Sequence, residues 1–327
     1  MGAPRAVTVT ANPAVDRSAT CERVVPERKL RCGDVSRDPG GGGVNVARAM
    51  LRLGGAATAV IAAGGFTGER LASGLLEEGV PHAVAPIAEE TRENLTVFER
   101  GTGSAFRFGM PGCPMSGAEA DALLEAAEGE AAAGDFLVGS GSLPPGAPPD
   151  LYARLAEVAR RRGARCVVDT SGDALRRALD GGGLYLLKPN FREMGEYAGR
   201  ELRTEEDAAS AAGRLVEDGT VEMVLVTLGA GGAVLVTSSD TVRIAAPAVP
   251  VRSRIGAGDS TVAGMLAALA RGWDAVRAAR YAVAAGAAAV MTPGTELCRK
   301  DDTDALFACI EHGERSCGAA GGMNRGG

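Results

Sequence analysis

The sequence predicts an α/β fold: a doubly wound, mostly parallel central sheet with a small separate β-sheet lid. Three observations carry that expectation. Short apolar runs of β character alternate along the chain with stretches of helical period, the signature of βαβ units. Two segments, at about 17–37 and 91–110, break the rhythm with short alternating runs and no helical period. The 327 residues are 46% hydrophobic, enough for about two domains or one large α/β domain with an appendage.

In chain order, the β-type runs fall at 6–10, 58–62, 136–139, 166–169, 184–187, 223–227 and 233–236. Helical period marks 44–53, 68–78, 118–133 and 151–162. Ligands of such a sheet are expected beyond the carboxyl ends of its strands. The stretch RENLTVFERGTGSAFRFGM reads as two alternating strands around a Gly-Thr-Gly turn, and with 17–37 it supplies the lid. One domain is expected over 1–312, followed by a Gly-rich tail, 313–327, that is expected to be disordered.

A net charge of −6 argues against a nucleic-acid or polybasic membrane partner, which would need a clustered positive face. The seven cysteines are odd in number and dispersed, without a C-x-x-C pair. A metal cluster or disulfide framework is therefore not expected, and a reducing, cytoplasmic setting fits best. The first residues show no secretory pattern, and apolar stretches such as AATAVIAAGG are too short to span a bilayer. With only His82 and His312, histidine-based triads and zinc sites have few candidate members.

Four motifs carry candidate chemistry. In RIGAGDSTVAGMLAALA, an extended-looking run through Val249 and Val251 breaks at Gly256-Ala257-Gly258, and Asp259 stands at the start of an apolar helix. One reading makes Asp259 an N-cap. The other makes the helix start an anion cradle with a carboxylate beside it, the pairing that phosphoryl transfer requires. The run DPGGGGVNVARAM lacks a full dinucleotide fingerprint and a P-loop Lys. It is either a flexible loop or a backbone that a polar ligand touches, with Asn45 suited to sugar hydroxyls. In LYLLKPNFREMGEY, Asn190 and Glu193 form either a capping box or a holder of Mg²⁺ waters beyond a strand end. VLVTLGAGGAVLV is either an ordinary hairpin or a flat backbone surface for a nucleotide.

Taken in order, GGGGVNVARAMLRLGG, KPNFRE, VTLGAGGAVLV and GAGDSTVAGML resemble the signatures of the ribokinase-like (PfkB-type) sugar kinases over roughly residues 6–312. Within that family, KLRC, PGGGGVNVAR, SGSLPPG and GTELCRKDDT resemble the PfkB-type 6-phosphofructokinase branch. The sister 1-phosphofructokinases and tagatose-6-phosphate kinases usually carry a lysine where this chain has Gly42. The resemblance implies a three-layer α/β/α domain with a lid. It also implies ATP-dependent phosphorylation of the 1-hydroxyl of fructose 6-phosphate, with Mg²⁺ and a K⁺ site. The exposed edges of a small lid sheet invite pairing with a second chain, so a homodimer through the lids is expected.

Residue by residue, the resemblance implies Asp259 as the base and the amides of Gly256, Ala257 and Gly258 as the oxyanion cradle. Lys29 would lie between the substrates. Asp16, Gly42, Gly43 and Asn45 would bind the sugar, and Arg92, Ser142 and Arg31 its phosphate. Lys188, Asn190 and Glu193 would serve the ATP phosphates and Mg²⁺, and Thr227, Gly229 and Gly232 the adenosine. Ser253, Ile255, Ala289, Thr292, Gly294 and Glu296 would surround K⁺. The competing expectations are a sister kinase of fructose 1-phosphate or tagatose 6-phosphate, and a catalytically silent sugar-phosphate regulator. A nicotinamide dehydrogenase is disfavoured by the incomplete glycine fingerprint.

Overall fold

The computed structural model describes residues 2–313. Met1 and the tail from 314 onward lie outside the described residues, and with them the expectation of a disordered C-terminus.

The buried run AVTVT forms β1 (Ala6–Thr10) at the middle of the large sheet. It is flanked in parallel by β4 (Ala57–Ala63) on one side and by β8 (Phe136–Ser140) on the other. Beyond β4 lies β5 (His82–Pro86). Beyond β8 follow β9 (Arg165–Asp169), β10 (Leu184–Leu187) and β11 (Val221–Thr227), all parallel. An antiparallel pair, β12 (Gly232–Thr237) and β13 (Thr241–Ala245), closes that edge. The strand order reverses between β1 and β8, so a crevice opens there at the carboxyl ends.

Helices cover both faces because successive strand residues point to opposite sides. Ala6 and Val138 belong to one apolar core and Val7 and Leu137 to the other. The first core packs against α1 (Gly42–Arg52), α2 (Gly65–Glu77), α8 (Ala257–Ala270), α9 (Ala275–Val290) and α10 (Lys300–His312). The second packs against α3 (Gly117–Glu130), α4 (Leu151–Arg162), α5 (Gly172–Gly181), α6 (Phe191–Ala198) and α7 (Glu205–Glu217). The three-layer α/β/α expectation holds.

The lid is a four-stranded sheet in the order β3-β2-β6-β7. Its strands are β2 (Ala14–Cys21), β3 (Gly33–Gly40), β6 (Arg92–Glu99) and β7 (Ala105–Phe108). It begins earlier than expected and reaches further, because the ladder pairs Ala14 with Gly40 and Asp16 with Asp38. Asp16 thus stands on a lid strand and not merely after β1. Two further differences concern the large sheet. The strands β5 and β13 carry too few apolar residues to announce themselves, and each has an exposed face. The run through Val249 and Val251 is irregular rather than a strand. Its prolines at 247 and 250 lack the N–H a ladder needs.

Cys21, Cys32, Cys113, Cys166 and Cys298 are free. Cys309 is disulfide-bonded. Among the described residues, no helix is long and apolar enough to cross a membrane.

Candidate active site

Beyond the carboxyl ends of β9 and β10, Asp169 and Lys188 lie beside the start of α8. Gly256 caps that helix in the left-handed region at φ 73°, and no side-chain cap bond is made there. Asp259 lies inside the first turn, so it is not the N-cap. It is half-buried, and its Oδ2 accepts a hydrogen bond from Asn45 Nδ2 at 2.9 Å. Burial pushes its carboxyl up to about 7, with the neighbouring Asp169 adding to the rise, while Asn45, Lys188 and Arg107 oppose it. A carboxylate poised near neutrality inside a helix start is suited to accepting a proton.

Beneath the turn lies Lys188, buried just beyond β10. A Cβ added at Gly258 would stand 3.5 Å from its ammonium, an ordinary contact distance, so the turn and the Lys188 side chain are near neighbours. Lys188 pairs with Asp169 at 3.0 Å. Desolvation pulls the Lys188 ammonium down, but Asp169, with Glu193 and Asp259 behind it, more than offsets this and raises it. Asp169 had no place among the sequence-predicted residues. Its position at the end of the apolar run 166–169 was the available signal.

The glycine run is not a loose loop. Gly41 holds φ 111°, and α1 begins at Gly42. A Cβ on Gly42 would meet Ser140 Oγ at 2.5 Å and Gly141 N at 2.7 Å. One on Gly43 would meet Thr10 Oγ1 at 2.5 Å. These glycines therefore press α1 against the ends of β1 and β8, at the reversal point of the sheet. Asn45, expected on the sugar, is held there against Asp259.

The register of the lid sets one face over this crevice. Arg92, Asp16 and Asn94 share that face, and pairing of Thr96 with Arg107 puts Arg107 there too. Asp16 is buried and accepts from Asn94 Nδ2 at 2.7 Å. Arg92 donates to the carbonyls of Met110 and Asn12, each at 2.9 Å, and its buried Nε has no partner. Burial lowers the Arg92 guanidinium, opposed by Asp16, with Arg107 lowering it further. Arg107 itself is exposed, and only the register brings it over the site. Ser142, also exposed, accepts a long bond from Asn12 Nδ2 at 3.4 Å. Lys29 and Arg31 stand exposed on the connection between β2 and β3, apart from this cluster in hydrogen bonding.

On the other side, Asn190 and Glu193 form a reciprocal capping box at 2.8 and 2.9 Å. The cap reading is therefore correct, and one carboxylate oxygen, Glu193 Oε1, remains outside it. Burial raises the Glu193 carboxyl, opposed by the Asn190 amide and Lys188 and reinforced by Asp169. Two neighbouring carboxylates, each open on one side, fit an Mg²⁺ ion that keeps most of its water. Thr227 is tied to the same loop by its N–H to Pro189 O at 2.9 Å. Gly229 opens an exposed single turn of 3₁₀ helix at φ 58°. Gly232 is different: it is buried, holds φ 103°, and a Cβ there would stand 2.0 Å from Ile244 O. Its requirement is strand packing between β12 and β13.

The residues expected around K⁺ do come together. Ser253 Oγ donates to Gly294 O at 2.7 Å and accepts from Ile255 N at 3.2 Å. Thr292 Oγ1 lies within hydrogen-bond distance of Ala289 O, at 2.7 Å, and of Glu296 O, its single proton serving one of the two carbonyls at a time. The Gly294 and Glu296 carbonyls each keep a second lone pair, suited to K⁺, whereas Ala289 O also accepts from Thr292 N at 3.2 Å. The Glu296 carboxylate is engaged elsewhere, forked onto Arg299 at 2.7 and 3.0 Å.

Comparison with known proteins adds to this geometry. The family described as pfkB family carbohydrate kinase matches residues 7–302. The chain is 43% identical over 306 residues to the ATP-dependent 6-phosphofructokinase isozyme 2 of Mycobacterium tuberculosis, covering 94% of this chain and 90% of that protein. It is 34% identical to a 1-phosphofructokinase of Bacillus subtilis, covering 88% of this chain and 94% of that protein. The crystal structure of phosphofructokinase-2 from Escherichia coli in complex with potassium superposes with a TM-score of 0.90 at 40% identity, covering 95% of this chain and all of that one.

Proposed function

The chain belongs to the pfkB carbohydrate kinase family, and on that premise we propose that it transfers the γ-phosphoryl group of ATP to the 1-hydroxyl of fructose 6-phosphate, giving fructose 1,6-bisphosphate and ADP. The observation that carries the reading is Asp259, its carboxyl raised to about 7 and held at the open start of α8 above Lys188. Asp259 takes the proton from the 1-hydroxyl as the oxygen attacks phosphorus. The amides of Gly256, Ala257 and Gly258 receive the charge on the transferring group, with the Lys188 ammonium behind them. Asp16 and the backbone of Gly42 and Gly43 orient the sugar. Arg92 and Arg107 face the 6-phosphate, where a guanidinium fork discriminates phosphorylated from free sugars. Thr227, Gly229 and Asn190 border the nucleotide.

Mg²⁺ held through water by Glu193 and Asp169 would offset charge on the ATP phosphates. By likeness to the potassium complex of the E. coli protein, the turns at 253–255 and 289–296 are the candidate K⁺ position. Lys29, Arg31 and Ser142 are assigned no step. The face of the lid away from the crevice exposes Val35, Phe106 and Phe108 at 53%, 37% and 47%. An apolar sheet face of this kind supports a homodimer through the lids.

The substrate is tested by ADP release with Mg-ATP and fructose 6-phosphate, fructose 1-phosphate, tagatose 6-phosphate or fructose. A kcat/KM for fructose 6-phosphate at least about tenfold above the rest, roughly 1.4 kcal/mol of discrimination, is expected. The sister-kinase reading is supported by the 34% identity to the B. subtilis protein, and preference for another sugar would establish it. The tight seat of Gly42 against Ser140 and Gly141, which leaves no room for a side chain there, favours fructose 6-phosphate over that alternative.

A further inference from the structure

Arg48 lies one turn along α1 from Asn45, with 2% of its surface exposed. A buried guanidinium is costly unless its donors find acceptors. Here they do. Nε and Nη2 fork onto Glu78 at 2.7 and 2.5 Å, and Nη1 donates to Pro39 O at 2.8 Å. Nη1 also faces Asn45 Oδ1 at 3.4 Å. That contact fixes the sense of the amide. With Oδ1 toward Arg48, Nδ2 turns to Asp259. The reversed amide would set donor against donor at Arg48 and acceptor against acceptor at Asp259.

We propose that Arg48, locked by Glu78, is a positioning residue for the transfer: it holds the Asn45 amide as an obligate donor to one oxygen of Asp259 and leaves the other oxygen to take the proton. This rests on Asp259 being the base. The groups facing Asp259 are Asn45 from α1, Asp169 from β9, Lys188 after β10 and Arg107 from β7. Asp169 favours the protonated carboxyl, and the other three favour the carboxylate. Arg48 acts through Asn45.

The test is the pH dependence of kcat/KM in Arg48→Met and Arg48→Lys, each alone and combined with Asn45→Ala, with a thermal melt for each. The acidic limb is expected to rise by about one pH unit in both single variants, the worth of a hydrogen bond to a charged group. Lysine keeps the charge but cannot hold Glu78, Pro39 and Asn45 together. In the Asn45→Ala background the Arg48 changes should move the limb no further, since their effect runs through that amide. An unshifted limb, a wild-type limb in Arg48→Lys, or an equal shift without Asn45 overturns the proposal. If the Arg48 variants do not fold, Glu78→Gln loosens the same lock from the helix end. It should raise the limb by a smaller amount, and an unmoved limb there is equally fatal. Asp259→Asn separates the two readings. Retained turnover sinks the base itself and Arg48 with it, whereas an inactive Asp259→Asn beside unshifted Arg48 limbs sinks only Arg48.

Discussion

Replacing Asp259 by Asn removes a proton acceptor and almost nothing else. The amide has the shape of the carboxylate, and its oxygen still accepts from Asn45 Nδ2, 2.9 Å from the present Oδ2. Packing of the half-buried first turn of α8 is unchanged, so the affinity for both substrates should hold within about twofold to threefold. The chemical step loses its base. A positioned base contributes about 10²–10⁴ in rate, so a fall in kcat of about 10³, equivalent to about 4 kcal/mol of barrier, is expected. The wild-type pH profile gives a second reading of the same group. Its folded value of about 7 means that the active, deprotonated form is lost as pH falls through 7, and at pH 6 only about a tenth of it remains. Coupled ADP release with saturating Mg-ATP should therefore show kcat/KM for fructose 6-phosphate falling about tenfold per unit below neutrality. In Asp259→Asn the residual rate should be flat across the same range. An Asn variant within tenfold of wild type, or a wild-type limb centred near the ordinary carboxylate range, would refute the assignment.

Lys188→Met and Asp169→Asn should move that limb in opposite directions. Losing the cation raises Asp259 further, and losing the neighbouring carboxylate lowers it. Breaking the buried 3.0 Å pair by Lys188→Met should also cost about 3–5 kcal/mol of stability in urea unfolding; limbs moving together would sink the electrostatic account. Arg107→Ala should raise the KM for fructose 6-phosphate about tenfold, the worth of a charge-assisted bond, with kcat nearly unchanged. Arg92→Ala should raise the same KM. KM values unchanged from wild type in both variants would place the sugar phosphate elsewhere. Gly232→Ala should lower the melting temperature, because the added Cβ would stand 2.0 Å from Ile244 O, while the KM for ATP stays put. A raised KM with an unchanged melt would return Gly232 to the nucleotide.

Local sequence determined much of this protein. The order of apolar runs set the strands of the central sheet, and the Gly-Thr-Gly turn set the hairpin of the lid. Gly256-Ala257-Gly258-Asp259 put a carboxylate at a helix start, whatever the rest of the chain does. These features depend on residues a few positions apart, and their periods and backbone demands are written in those residues. What the tertiary structure decided is which side chains meet. Asn45 reaches Asp259 across 214 residues, and no period along the chain signals that pairing. Asp169 finds Lys188 because β9 and β10 are parallel neighbours. Arg107 faces the crevice because its strand pairs with β6 in one register, and a slip of one residue would turn it to the other face. The same packing seats Gly232 against Ile244 O between β12 and β13 and leaves Lys29 exposed on the connection between β2 and β3. The charge state of Asp259 is the clearest case. Burial and the Asp169 carboxylate raise it, and both are products of how distant segments pack, not of the residues beside it in the chain.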